Sequence, residues 1–143
     1  MTIMHDKLKW RPFWATHVGA MKGCLDFLNI PMSDAWLVGG IGHAFIMNIN
    51  DNVSAAGPTV WNTEMMMLLG HNLGFHVSGV FAWKSDPQFE IKQKLAWETA
   101  RRALDQGFPC YGWELGIAEY YVVCGYDSFG YYYSGIGTAE YEI

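Results

Sequence analysis

The 143-residue chain is 51% hydrophobic and 16% aromatic against 16% charged, a balance that closes a core and excludes a disordered chain. Its formal net charge is −5 and no Lys or Arg follows Arg102, so the clustered positive surface that nucleic acid requires is not expected. No apolar run reaches a bilayer span, MTIMHDKLKW lacks a secretory pattern, and Cys24, Cys110 and Cys124 read as reduced thiols of a cytoplasmic protein without a membrane partner.

A first helix is predicted from Thr16, as its N-cap, to about Leu28, with Val18, Met21, Cys24, Leu25 and Leu28 on one face. Asn29 and Pro31 end it. Ser33 is read as the cap of a short second helix that enters the glycine-rich LVGGIGHAF, after which AFIMNI suits a strand before the turn-like NINDN. A third helix is predicted from near Thr59 to Gly74, followed by a strand over FHVSGVFAW. The strongest helical signal follows Asp86-Pro87 and stops before Gly107, with Pro at its first position. Its inner stripe is Phe89, Ala96, Trp97, Ala100, Ala103 and Leu104, leaving Ile91 and Leu95 for a second surface. Beyond it the period changes. FPCYGWEL, EYYVVCGYD and GYYYSG read as strands, the last two joined by Asp127-Ser128-Phe129-Gly130 as a hairpin. Helices first and antiparallel strands last define the class as α+β, with N-terminal helices packed on a C-terminal sheet.

The order helix, GFPCYGWEL, EYYVVCGYD, GYYY resembles the papain-like fold of the bacteriocin-processing cysteine peptidases. The earlier stretch IPMSDAWLVGGIGHAF is similar to the amino-terminal domain of butirosin-biosynthesis protein H and its relatives. The resemblance covers about Thr16 to Ser134 and implies one papain-like domain over residues 1–143, the chain ending soon after its hairpin as an excised domain would. It also implies a nucleophilic Cys at the start of the first helix, where Thr16 and His17 stand. The base would open the late apolar strand, at Glu119, and the residue orienting it would fall at Ser134 or Gly135. A thiolate–imidazolium pair needs both partners, so peptidase chemistry of that kind is not expected.

Thr16, His17 and Glu119 are therefore the candidate catalytic or cleft residues, with Glu114 and His43 as candidate ligand-binding residues. A helix N-terminus favours the neutral imidazole at His17, and a nearby Glu119 would form a carboxylate–imidazole pair. The run Gly39 to His43 lacks the Lys-Ser/Thr end of a phosphate loop. His43, His71 and His76 with Glu64 show no i, i+4 His pair, so no metal site is expected, and no cofactor motif occurs. Three functions remain open. The first is a non-catalytic pseudo-peptidase binding a small molecule or peptide. The second is an acyltransferase of small-molecule biosynthesis, as the butirosin resemblance implies. The third is a cysteine peptidase using Cys24. The tyrosine-rich strands also offer a surface for self-association or for a missing C-terminal domain.

Overall fold

The computed structural model describes residues 2–49, 51–52 and 62–139. They form a mixed helical and antiparallel-sheet fold: β1 (Ile3–Met4), α1 (Thr16–Phe27), α2 (Asp34–Gly40), α3 (Thr63–Leu69), α4 (Phe89–Asp105), β2 (Cys110–Trp113), β3 (Tyr120–Tyr126) and β4 (Tyr131–Ser134). Short 3-10 turns occupy His43–Phe45 and Gly70–Leu73. The chain divides into two compact units, the first comprising Met1–Pro31 and Gly79–Ile143, the second Met32–Ser78. None of the described helices is long and apolar enough to cross a membrane.

The first unit is organised around β3, whose run YYVVCGY is buried at all but its first residue. Such a continuous apolar run belongs to a central strand covered on both faces. β2 pairs with its first half, from Trp113↔Tyr120 to Cys110↔Val123. β1 continues the same edge, Met4 facing Gly125 and Ile3 facing Tyr126. β4 takes the opposite edge, from Val122↔Ser134 to Tyr126↔Tyr131, with a register shift between Val123 and Gly125. The turn from β3 to β4 is the expected one. Asp127 Oδ1 accepts from the amides of Phe129 and Gly130, while Asp127 N donates to the Gly130 carbonyl.

Ala20 and Cys24 of α1, Leu104 of α4, and Val122, Val123, Cys124 and Tyr126 of β3 share one core with Leu8 and Trp10. The N-terminal segment was not anticipated as core. Gly19 and Gly23 make its approach possible: a Cβ at Gly23 would stand 2.1 Å from the Lys9 carbonyl, and one at Gly19 would stand 2.3 Å from that of Arg11. The Arg11 amide donates to the Gly19 carbonyl at 3.2 Å. Along α4 the predicted stripe is only shallowly buried, Leu104 alone being fully so, and Ile91 and Leu95 stay exposed. Gln88 caps α4, so Pro87 precedes the cap instead of occupying the first helical position. Gly107 follows the helix in the left-handed region, φ 79°.

The second unit is built from shorter pieces. Ser33 caps α2, its Oγ accepting from the Trp36 amide, and Asn62 caps α3 through the Met65 amide. The predicted helix start at Thr59 lies outside the described residues. Two predicted strands are corrected. Residues 46–49 of AFIMNI carry no strand, and neither do residues 75–83 of FHVSGVFAW. β-Branched and aromatic runs become strands only where a neighbouring strand supplies partners, and among the described residues none is paired to these.

Candidate functional site

The start of α1 and the start of β3 meet in the first unit, and the contact is made by side chains. Thr16 is the first helical residue instead of the cap, a role that falls to Ala15, whose side chain has no hydroxyl to close the helix end. The Thr16 hydroxyl is thus free of capping and turns to the sheet. It donates to Glu119 Oε2 at 2.5 Å and accepts from the Tyr120 amide at 3.2 Å. Both hydrogen-bonding capacities of that oxygen pointing toward β3 are occupied.

His17, 8% exposed, takes a neighbouring position. Its Nε2 pairs with the Tyr111 hydroxyl at 3.1 Å, and its ring stacks on Tyr120 with centroids 4.2 Å apart. Burial pushes the Tyr111 hydroxyl well above its ordinary pKa, so it remains a phenol beside the imidazole. Trp113, half exposed, packs against Tyr120 with ring centroids 4.9 Å apart. The result is a half-buried carboxylate at Glu119 beside a group of aromatic rings.

Ser134 also joins this region. Its Oγ accepts from the Trp10 amide at 3.2 Å, and Trp10 Nε1 donates to the Thr16 carbonyl at 3.1 Å. Trp10 therefore ties the end of β4 to the start of α1, a connection that nothing in the local pattern KLKWRP indicated. The loop from β2 to β3 is short and braced: the Glu114 amide donates to the Glu119 carbonyl at 2.9 Å, and the Ile117 amide to the Tyr121 hydroxyl at 3.0 Å. Glu114 adopts φ 59°, a conformation costly for a residue with a side chain, and its exposed carboxylate pairs with Lys84 at 3.1 Å.

Of the five candidate residues, Thr16 and Glu119 are brought into direct contact, His17 adjoins them through Tyr120, and Glu114 opens the loop that ends at Glu119. His43 belongs to the second unit, where it is buried and where loss of solvent lowers its imidazole pKa. Cys24 lies in the core on α1, and burial drives its thiol far above the ordinary value. Cys110 is pushed up to about 11 by the same cause. A thiol held in its neutral form is a poor nucleophile. At the far end of β3, Asp127, Phe129, Gly130, Tyr131 and Tyr132 line an open depression of about 350 Å³. Six residue steps of extended chain, roughly 20 Å, separate the two ends of that strand. Among the described residues no group of three or more His, Cys, Asp or Glu side chains is arranged to hold a metal ion. No family model matches the chain, nor does any curated protein or solved structure.

Proposed function

We propose that the first unit is a papain-like domain without peptidase chemistry, whose surface around Glu119 binds a small molecule or peptide through a cationic amine. The observation that carries this reading is the Thr16–Glu119 pair, which stands where the resemblance calls for a thiolate and an imidazolium. A hydroxyl that donates to a carboxylate and accepts an amide proton joins helix to sheet. A carboxylate has about four lone-pair directions, so Glu119 keeps capacity for an ammonium after accepting from Thr16. The half-exposed Trp113 ring, packed against Tyr120, adds a face on which a cation settles. Lys84, the basic side chain that reaches this loop, is committed to Glu114. The three cysteines are free thiols, which supports a reducing, cytoplasmic setting.

Thermal shift with lysine-containing peptides and polyamines tests the reading against their N-acetylated counterparts. The amines should raise Tm and the acetylated forms should not. Glu119→Gln should lose the shift while costing about 1–2 kcal/mol of stability, because the amide still accepts from Thr16 but without charge. Equal shifts with amine and amide, or an undiminished shift in Glu119→Gln, would count decisively against it.

One observation favours a second reading, acyl transfer of the kind the butirosin-type resemblance implies. A hydroxyl hydrogen-bonded to a carboxylate is the geometry a general base needs. Thr16 Oγ would attack the carbonyl carbon of a carrier thioester as its proton passes to Glu119. The carrier thiol would leave with that proton, and the resulting ester would pass its acyl group to an amine. Thr16→Ala would then abolish thiol release from an acyl-carrier thioester; unchanged release, or none in the parent protein, returns the domain to the binding reading. The third reading, a peptidase using Cys24, finds no support in a buried neutral thiol.

A further inference from the structure

The second unit carries three histidines, and the sequence spacing of His71 and His76 matches neither a helix face nor a strand face. The backbone nevertheless brings them together. Gly74, at φ 80°, ends the 3-10 turn in the left-handed region, and its amide donates to the His71 carbonyl at 3.2 Å. The Phe75 amide then donates back to the Gly70 carbonyl, and the Phe75 ring packs on Gly70 where a Cβ would lie 2.4 Å from it. Asn72 Nδ2 anchors the turn to the Gly40 carbonyl. The reversed chain sets His76 against His71, with His71 Nε2 and His76 Nδ1 2.7 Å apart.

The rings are not stacked face to face, although their planes differ by only 28°. Their centroids are 5.0 Å apart while the nitrogens are 2.7 Å apart. That combination arises when both nitrogens lie on the line joining the ring centres, so the in-plane lone-pair directions point at each other. One ring donates its N–H and the other accepts. Both side chains are exposed. Residues 32–78 contain no Lys or Arg, only the carboxylates Asp34, Asp51 and Glu64, so no fixed side-chain cation of the unit opposes a bound metal.

We propose that His71 and His76 form a two-imidazole site for a divalent first-row transition-metal ion, with Cu²⁺ held more tightly than Zn²⁺. Imidazole nitrogen suits both ions, and the general order of divalent affinities puts Cu²⁺ first. Two nitrogens bound to one ion at about 2.0–2.1 Å stand roughly 3 Å apart with their lone pairs converging on it, so each ring must turn by roughly 45° from the head-on arrangement, a rotation open to exposed side chains on a fixed turn. In a neutral pair the donor ring moves its proton to its other nitrogen and two N–metal bonds replace one hydrogen bond, with no net proton release. A pair carrying an extra proton must release it. Water fills the remaining coordination positions. The i, i+5 spacing hides the site from a reading of the sequence, which looks for His pairs one helical turn apart.

The test is titration of the full chain with Cu²⁺ and Zn²⁺ by calorimetry, together with electron paramagnetic resonance at one equivalent of Cu²⁺. The parent protein should bind one ion per chain and show coupling to two imidazole nitrogens. His71→Ala and His76→Ala should each weaken binding at least tenfold while circular dichroism stays unchanged, and His5→Gln in the first unit should leave it intact. Absence of binding or of imidazole coupling in the parent, or equal affinity in His71→Ala and His76→Ala, overturns the site. Neither outcome bears on amine binding at Glu119, which is read from Tm without metal.

Discussion

In the first unit the joining contacts are remote in sequence: Trp10 reaches Ser134 across 124 positions and Thr16 reaches Glu119 across 103. In the second they are nearer: Asn72 holds Gly40 across 32 positions, and Phe75 folds onto Gly70. Burial follows the same division. β3 is a central strand with a shared aliphatic and aromatic core around it, whereas the second unit buries Leu37, Ile41, His43, Met66 and Met67 and leaves Phe45 and Met47 more than 80% exposed. Apolar burial at about 25 cal/mol per Å² is what offsets chain entropy, so the first unit should be the more stable and the second the more readily opened.

The largest expected effect breaks the first unit at its remote join. Trp10→Ala removes a 4%-exposed indole that donates to the Thr16 carbonyl, and should cost about 3–5 kcal/mol in urea unfolding, with loss of amide protection along β3. A cost below about 1 kcal/mol would mean the N-terminal segment is not part of the core. A smaller effect sharpens the contrast. Leu37→Ala should destabilise by about 2–3 kcal/mol and accelerate hydrogen exchange within residues 32–78 while leaving β3 protected. Equal acceleration in β3 would show that the two units unfold as one.

The smallest effect is confined to the β3–β4 turn. The Tyr132 hydroxyl and the Phe129 and Gly130 amides hold the Asp127 carboxyl below its ordinary 3.8. The folded group therefore binds fewer protons than the unfolded one in that window. Its contribution is fully present above the unfolded value and is lost as pH falls through the folded one. Melting temperatures followed from about pH 5 to pH 2 should fall on acidification, and Asp127→Asn should flatten that limb slightly. An acid limb just as steep in the variant would place the effect elsewhere, such as Asp26. There burial raises the carboxyl, but the hydrogen bonds of Lys22 and Arg11 outweigh it and hold the group low.

Elements with local signals were legible in the sequence. Ser33 caps α2, Gly107 follows α4, and Asp127 to Gly130 form the hairpin turn, because each is settled by chemistry within a few residues. The segments 46–49 and 75–83 have the side chains of strands but no pairing partner, a condition no local pattern reports. Leu8 and Trp10 were missed for the converse reason: they lie in a charged, aperiodic stretch and gain their burial from α1 and from residues far along the chain in α4 and β3. The juxtaposition of Thr16 with Glu119 was anticipated from the order of motifs, and composition alone gave no hint of it. That Thr16 would donate there instead of capping α1 depended on Ala15 taking the cap position. His71 and His76 meet at a spacing that no helical or strand pattern reports, because Gly74 turns the chain in the left-handed region between them.

Gly19 and Gly23 let residues 9–11 nest against α1, while β1 and Trp10 are anchored to β3 and β4. Residues 3–10 thus leave a ribosome well before their strand partners. At about 5–20 residues per second, more than a hundred further residues take roughly 5–20 s to emerge, and until then that segment has α1 alone to dock on. A nascent chain in this state shows Trp10 and Leu8 to whatever protein is waiting at the exit, and the sheet closes only after Ser134 has emerged.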